Sequence, residues 1–248
     1  MDETSLTILG ISAFFLSYAI FLLVAYKKDP RYQLKYERNQ SFYKIAGLSV
    51  LNRVILLSLL LMFAMLANRQ PEEVFSFRGY NATIETVLGV LAGFLIFFLG
   101  VAVNMLIQIF RLKFSRGSTL REREVLKITL GAKPMAFTDF IMVLSVTTLF
   151  SGILEEIVFR GYLLNHLLLL VHPSIAILVQ AFLYFIPDLY RGAYGALLTL
   201  YRGIMFGVFF FLAGSLLTAI IAHLISDLAG LYVEAKSIRK ILVKQVKD

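Results

Sequence analysis

Apolar residues along this chain run in blocks rather than alternating with polar ones. The blocks are about 20 residues long, the length at which a helix rising 1.5 Å per residue crosses roughly 30 Å of hydrocarbon. They fall at Leu6–Tyr26, Ile45–Leu66, Val87–Phe110, Ala136–Leu154, Ile157–Val171, Ser174–Leu189, Ala193–Ala213 and Ser215–Tyr232. Lipid offers no partner to a free backbone N–H or C=O, so every block is predicted as helix and no open sheet is expected. The expected fold is all-α, a polytopic transmembrane helical bundle of about seven or eight helices. The last five blocks are short and crowded, which leaves room for one that does not cross by itself.

Composition agrees with that pattern. The chain of 248 residues is 59% hydrophobic, above the roughly half that soluble domains carry, and its mean hydropathy is +0.80. A net charge of +8 would ordinarily raise the question of nucleic acid, but the basic residues cluster in short loops between apolar blocks, where the positive-inside rule puts them. No nucleic-acid partner is expected. There is no cysteine, which removes disulfides, a cysteine nucleophile and thiolate metal sites. The first block follows Asp2 and Glu3 rather than a basic segment, and is read as a retained span rather than a signal peptide.

The loops Lys27–Lys44 and Arg111–Lys127 each carry six basic and two acidic residues, whereas Ala67–Thr86 carries two basic and three acidic, so the first two are expected in the cytoplasm. The tail after Tyr232 is basic as well, yet eight full crossings from an outside N-terminus would leave it outside. That parity conflict stands at the level of sequence. The triplet Asn81-Ala82-Thr83 has the form of a glycosylation acceptor and carries little weight. The whole is treated as one membrane domain, 1–248, with a three-helix part to residue 127, a core from 128 to 232 and the basic tail from 233.

A charge at mid-bilayer costs roughly 2.5–3.5 kcal/mol on insertion scales, so charges kept inside apolar blocks need partners and commonly a task. The C-terminal half holds most of them. In Ser151-Gly-Ile-Leu-Glu155-Glu156-Ile-Val-Phe-Arg160, Glu156 and Arg160 are four apart with the acid first, the favourable order for an ion pair on a helix. Glu155 is rotated about 100° away and lacks such a partner on its own helix, which leaves it able to accept a proton. His223 and Asp227, again four apart, share one face of the last block, where the acid can fix the imidazole tautomer. Arg202 falls midway along the seventh block and requires either a shifted boundary or a carboxylate partner. Asp188 follows Tyr184-Phe-Ile-Pro187 near a block end, a position that suits a surface loop as well as a site. His166 and His172 are assigned to a helix end and a loop.

These motifs resemble the CAAX protease and bacteriocin-processing family of intramembrane glutamic endopeptidases, which includes the Ras-converting CAAX protease. The family's Glu-Glu-x-x-x-Arg stands as Glu155, Glu156 and Arg160, and its His-x-x-x-Asn/Asp as His223 and Asp227. The resemblance spans about Phe150 to Ala229. It implies that Glu155 activates water with Glu156 and Arg160 in support, and that His223 and Asp227 stabilise the oxyanion. One motif departs: the family's Phe-x-x-x-His has its counterpart in Tyr184-x-x-x-Asp188, with aspartate in place of the water-activating histidine.

The resemblance therefore implies an endopeptidase that cuts a membrane-associated protein or peptide in a multi-pass setting, a prokaryotic cell membrane being favoured over the endoplasmic reticulum, with the bilayer and that substrate as partners and no cofactor or bound metal. Two other readings stay open. One is an inactive relative acting as a scaffold or immunity factor; the other is a metal-dependent hydrolase using the same acids and histidine.

Overall fold

The computed structural model describes residues 7–17, 51, 54–62, 81–114, 137–186 and 192–245, and all regular structure among them is helical. The elements are α1 (Thr7–Ser17), α2 (54–62), α3 (Ala82–Phe114), α4 (Phe137–Glu156), a π-helical segment (Ile157–Leu164) closed by a single α-turn (Asn165–Leu167), α5 (Pro173–Phe185), α6 (Gly192–Ala213) and α7 (Leu216–Gln245). Three stretches are long and apolar enough to cross a membrane: Ala82–Ile107, Gly195–Ala213 and Leu216–Val233. Many of their large apolar side chains point outward. Leu91, Phe98, Met105 and Ile109 of α3 are all exposed, which is the surface lipid requires and water would penalise. The protein is an integral, multi-pass membrane protein.

The fourth and fifth predicted spans are not separate. Helix runs without a turn from Phe137 to Leu167, through Glu155 and Glu156, and changes only from α to π hydrogen bonding at Ile157. No glycine or proline interrupts Leu154-Glu155-Glu156-Ile157, and both carboxylates find partners inside the bundle, so nothing forces the chain out of the helix there. Two predicted crossings thus become one continuous element.

Helices α3 and α7 run parallel and close together. Asn81 caps α3 by accepting from the N–H groups of Thr83 and Ile84, while its own N–H donates to Glu85 Oε1. The other oxygen of the buried Glu85 carboxylate accepts from Ser215 Oγ at 2.6 Å, at the start of α7, where Gly214 turns the chain with φ 62°. Both helices therefore begin at one end. Further along, Gly89 faces Ile221 and the Thr218 carbonyl, and Gly93 faces Ile225 and the Ala222 carbonyl, each so closely that a Cβ would stand 2.7 Å from its nearest neighbour. This is small-residue helix packing of the kind membranes favour.

The parallel course removes the parity conflict. The basic residues ending α3 (Arg111, Lys113) and those near the end of α7 (Lys236, Arg239, Lys240, Lys244) lie at the same end of the bundle, as one cytoplasmic face requires.

The core lies around the π segment. Val158, Phe159, Tyr162, Leu163 and Leu164 are buried against Ile11 and Phe14 of α1, Leu56 and Leu60 of α2, and Ala176, Ile177 and Leu183 of α5. Tyr162 stacks on Phe14 and donates its hydroxyl hydrogen to the Gly10 carbonyl, which pins α1 to this segment. A second cluster, Ala92 and Ile96 of α3 with Phe206 of α6 and Ala222 of α7, packs directly beside His223.

Candidate active site

Arg160 is wholly buried, as is Glu156, so their pairing decides whether either can remain charged. The guanidinium Nη1 donates to Glu156 Oε1 at 2.9 Å, and Nη2 donates to the Gly203 carbonyl of α6 at 3.2 Å. Its flat faces are covered by aromatic rings: the Tyr184 centroid is 4.6 Å from Cζ and that of Phe206 5.3 Å. The pair spans the junction of the two helix types, with Glu156 at the end of α4 and Arg160 in the π segment.

His223 meets the same oxygen of Glu156. Its Nδ1 lies 2.6 Å from Glu156 Oε1, while Nε2 lies 3.3 Å from Asp227 Oδ2 and 3.9 Å from Glu155 Oε2. The ring stacks on Phe206 at 4.5 Å and 15°, and its opposite edge meets Gly152 of α4, where a Cβ would come within 3.4 Å of Cδ2. A Cβ at 152 would touch the imidazole at the near limit of van der Waals contact and stand 3.3 Å from Leu224 Cδ2. Carboxylates flank both ring nitrogens, so an imidazole carrying a proton on each donates in both directions.

Asp227 is held from outside by Arg202, whose Nη1 donates to Oδ1 at 2.8 Å. The arginine that sequence left in search of a carboxylate thus finds one, and the network closes on itself. It begins at the Gly203 carbonyl, passes through Arg160, Glu156, His223 and Asp227, and ends at Arg202, the residue next to Gly203. Signs alternate along this path, so each charge is neutralised locally.

Glu155, which has no four-apart partner on its own helix, finds one on another helix. Tyr184 of α5 donates its hydroxyl hydrogen to Glu155 Oε2 at 2.9 Å. The carboxylate sits with Asp227 on the more open side of the cluster: side-chain exposures are 12% and 16%, against none for Glu156 and Arg160. The inner pair is sealed inside the bundle, and the outer pair lies at its more open side.

Five of the six residues singled out from sequence, Glu155, Glu156, Arg160, His223 and Asp227, stand in this one cluster. The sixth, Asp188, lies outside the described residues. His166 and His172 stay apart from it: His166 Nδ1 is 2.8 Å from the Tyr162 carbonyl, and His172 caps α5 by accepting from the Ser174 N–H. Among the described residues no group of three acid, histidine or cysteine side chains is placed to hold one metal ion. Sequence reasoning gave no role to the Tyr184 hydroxyl. A phenol in an apolar helix, one turn from an already suspected position, was the available signal.

Residues 137–229 match the family model described as type II CAAX prenyl endopeptidase Rce1-like. This stretch is an Rce1-like domain. The match begins with α4 and ends within α7, so it takes in every residue of the polar network and leaves α1, α2 and α3 outside. No curated protein and no solved structure matches the chain. Within the Rce1-like domain, the helices that supply Glu155, Tyr184, Arg202 and His223 are α4, α5, α6 and α7, and α3 packs against both α7 and α6, where Tyr201 donates its hydroxyl hydrogen to the Ile96 carbonyl.

Proposed function

We propose that this chain is an intramembrane endopeptidase in which Glu155 activates water to cut a peptide bond of a membrane-associated protein or peptide. The observation that carries this reading is the facing of Glu155 Oε2 and His223 Nε2 across 3.9 Å, at the open side of an otherwise buried, charge-balanced cluster. A proton acceptor and a proton donor stand there side by side, which is what addition of water to a carbonyl demands.

In the reaction, the water oxygen bonds to the carbonyl carbon while its proton passes to Glu155. The carbonyl oxygen, now negative, is met by the N–H of His223 Nε2. Its 3.3 Å contact with Asp227 is longer than the usual hydrogen bond, so this N–H can be shared with the oxyanion. Collapse breaks the C–N bond, and the proton held on Glu155 goes to the leaving nitrogen. Asp227, anchored by Arg202, keeps the ring in orientation, and Glu156 with Arg160 holds its other nitrogen.

Comparing protein termini in membranes of cells that carry either the natural protein or Glu155→Gln tests this. New termini that appear only with Glu155 are expected, and identical sets would sink the proposal. The departure at Asp188 favours a second reading, a family member that retains the cluster for helix packing alone. Identical sets of termini together with a stability loss in Glu155→Gln would select it.

A further inference from the structure

Helix α5 carries a single polar residue between Ser174 and Tyr184, and that residue, Gln180, is wholly buried. Among the described residues neither its Oε1 nor its Nε2 has a hydrogen-bond partner. The amide stands against bare backbone and apolar groups: a Cβ on Gly207 of α6 would lie 3.0 Å from Gln180 Oε1, 3.2 Å from Ile177 Cγ2 and 3.6 Å from Leu164 Cδ2. An unpartnered amide inside an apolar bundle is destabilising, and methionine, of the same length, would pack there without that cost. A glutamine in this place needs a partner.

A complementary group stands at the same level of the bundle. Arg160 Nε is buried and has no acceptor among the described residues. In a planar guanidinium the Nε–H and one Nη2–H point the same way along one edge. Nη2 donates to the Gly203 carbonyl, so that edge faces α6. Gly207, against which the Gln180 amide sits, is the residue whose N–H an α-helix pairs with that same carbonyl. Tyr184, one turn from Gln180 on α5, covers a face of the guanidinium at 4.6 Å from Cζ. A buried donor on the π segment and a buried acceptor on α5 thus flank one turn of α6 without bonding to each other.

We propose that Gln180 and Arg160 form an internal water site between α5, α6 and the π segment. One ordered water accepts from Arg160 Nε–H and donates to Gln180 Oε1, water being donor and acceptor at once and able to make about three such bonds when buried. The bridge holds the guanidinium in the plane that keeps Nη1 on Glu156, which makes Gln180 a positioning residue for Arg160. The site follows from helix packing and does not depend on what the cluster catalyses.

Gln180→Met in the full-length protein separates a bridged amide from an unpaired one, because the two give opposite signs. With the bridge, losing the amide strands Arg160 Nε, and the melting temperature in detergent is expected to fall by about 2–4 °C or more, the shift that loss of one buried hydrogen bond gives in a chain of this size. Without the bridge, methionine removes an unpaired amide and the melting temperature rises; an unchanged or raised value overturns the proposal. Poorer packing lowers the melting temperature too, so infrared spectra of both proteins are compared in ordinary and in oxygen-18 water. A sharp O–H stretch that moves with the isotope and is present only in the natural protein is expected. A lower melting temperature with the same water bands in both proteins overturns the proposal. If the methionine variant does not assemble, Gln180→Asn, which draws the amide back by one methylene, is expected to shift that band, and an unmoved band overturns the proposal as well.

Discussion

Glu156 Oε1 lies 2.6 Å from His223 Nδ1 and 2.9 Å from Arg160 Nη1, so a single carboxylate oxygen ties α7 to the π segment across 67 positions of sequence. Every other feature of the cluster is arranged around that junction. Because the oxygen is fully buried, its two partners depend on it for charge balance, and it depends on them.

Glu156→Gln is expected to destabilise the protein by about 3–5 kcal/mol, the cost typical of removing one partner from a buried ion pair. Glu155→Gln, whose acid sits at the open side and keeps an oxygen for the Tyr184 hydroxyl, is expected to keep the natural melting temperature in detergent. Equal melting temperatures for the two variants would contradict this division of labour.

Arg202→Gln separates stability from chemistry in a different way. Its side chain is 38% exposed and that of Asp227 16%, so screening by solvent limits the loss in stability to about 1 kcal/mol or less. Asp227, however, also contacts His223 Nε2, and without its anchor the imidazole loses its orientation. A strong fall in the cleavage rate at nearly unchanged thermal stability is expected, and a variant with the natural rate would show that Asp227 orients itself.

Gly93→Val tests whether α3 places the histidine. A Cβ at 93 meets the Ala222 carbonyl and Ile225 Cβ, each at 2.7 Å, and Ala222 adjoins His223, so the added methyls must drive α7 away from α3. Both stability and Glu155-dependent cleavage should drop, although residue 93 touches none of the polar groups. Gly100→Ala is the control, since its Cβ would reach only Tyr201 Cε1 at 3.4 Å and should leave both readings near the natural values. Equal behaviour of the two would mean that α7 is held by something other than this contact.

Asp188→His restores the residue that the motif ordinarily carries. It is expected to keep the fold and to raise the rate of Glu155-dependent cleavage, because it supplies the histidine of the Phe-x-x-x-His pattern. The check is kcat of the variant against the natural protein. A variant no faster than the natural protein would show that position 188 does not reach the acid.

Much of this protein was legible as sequence, and the legible part has a common physical origin. Hydrocarbon tolerates neither free backbone groups nor unpaired charge, so long apolar blocks had to be helices, and the charges inside them had to find one another. That reasoning brought out the Glu156–Arg160 pair and the shared face of His223 and Asp227 from spacing alone, and it left Arg202 with either a shifted boundary or a carboxylate, of which the structure shows the carboxylate. Tertiary structure decided what spacing does not contain. Which carboxylate Arg202 takes, that Glu156 serves Arg160 and His223 with the same oxygen, and that Tyr184 reaches Glu155 are relations between different helices, fixed by how closely Gly89, Gly93, Gly152 and Gly203 let those helices approach. The same holds for the unbroken course through Glu155 and Glu156. Read along the chain, two adjacent acids look like the end of a span, and only their partners on α5 and α7 make it possible for the helix to continue through them.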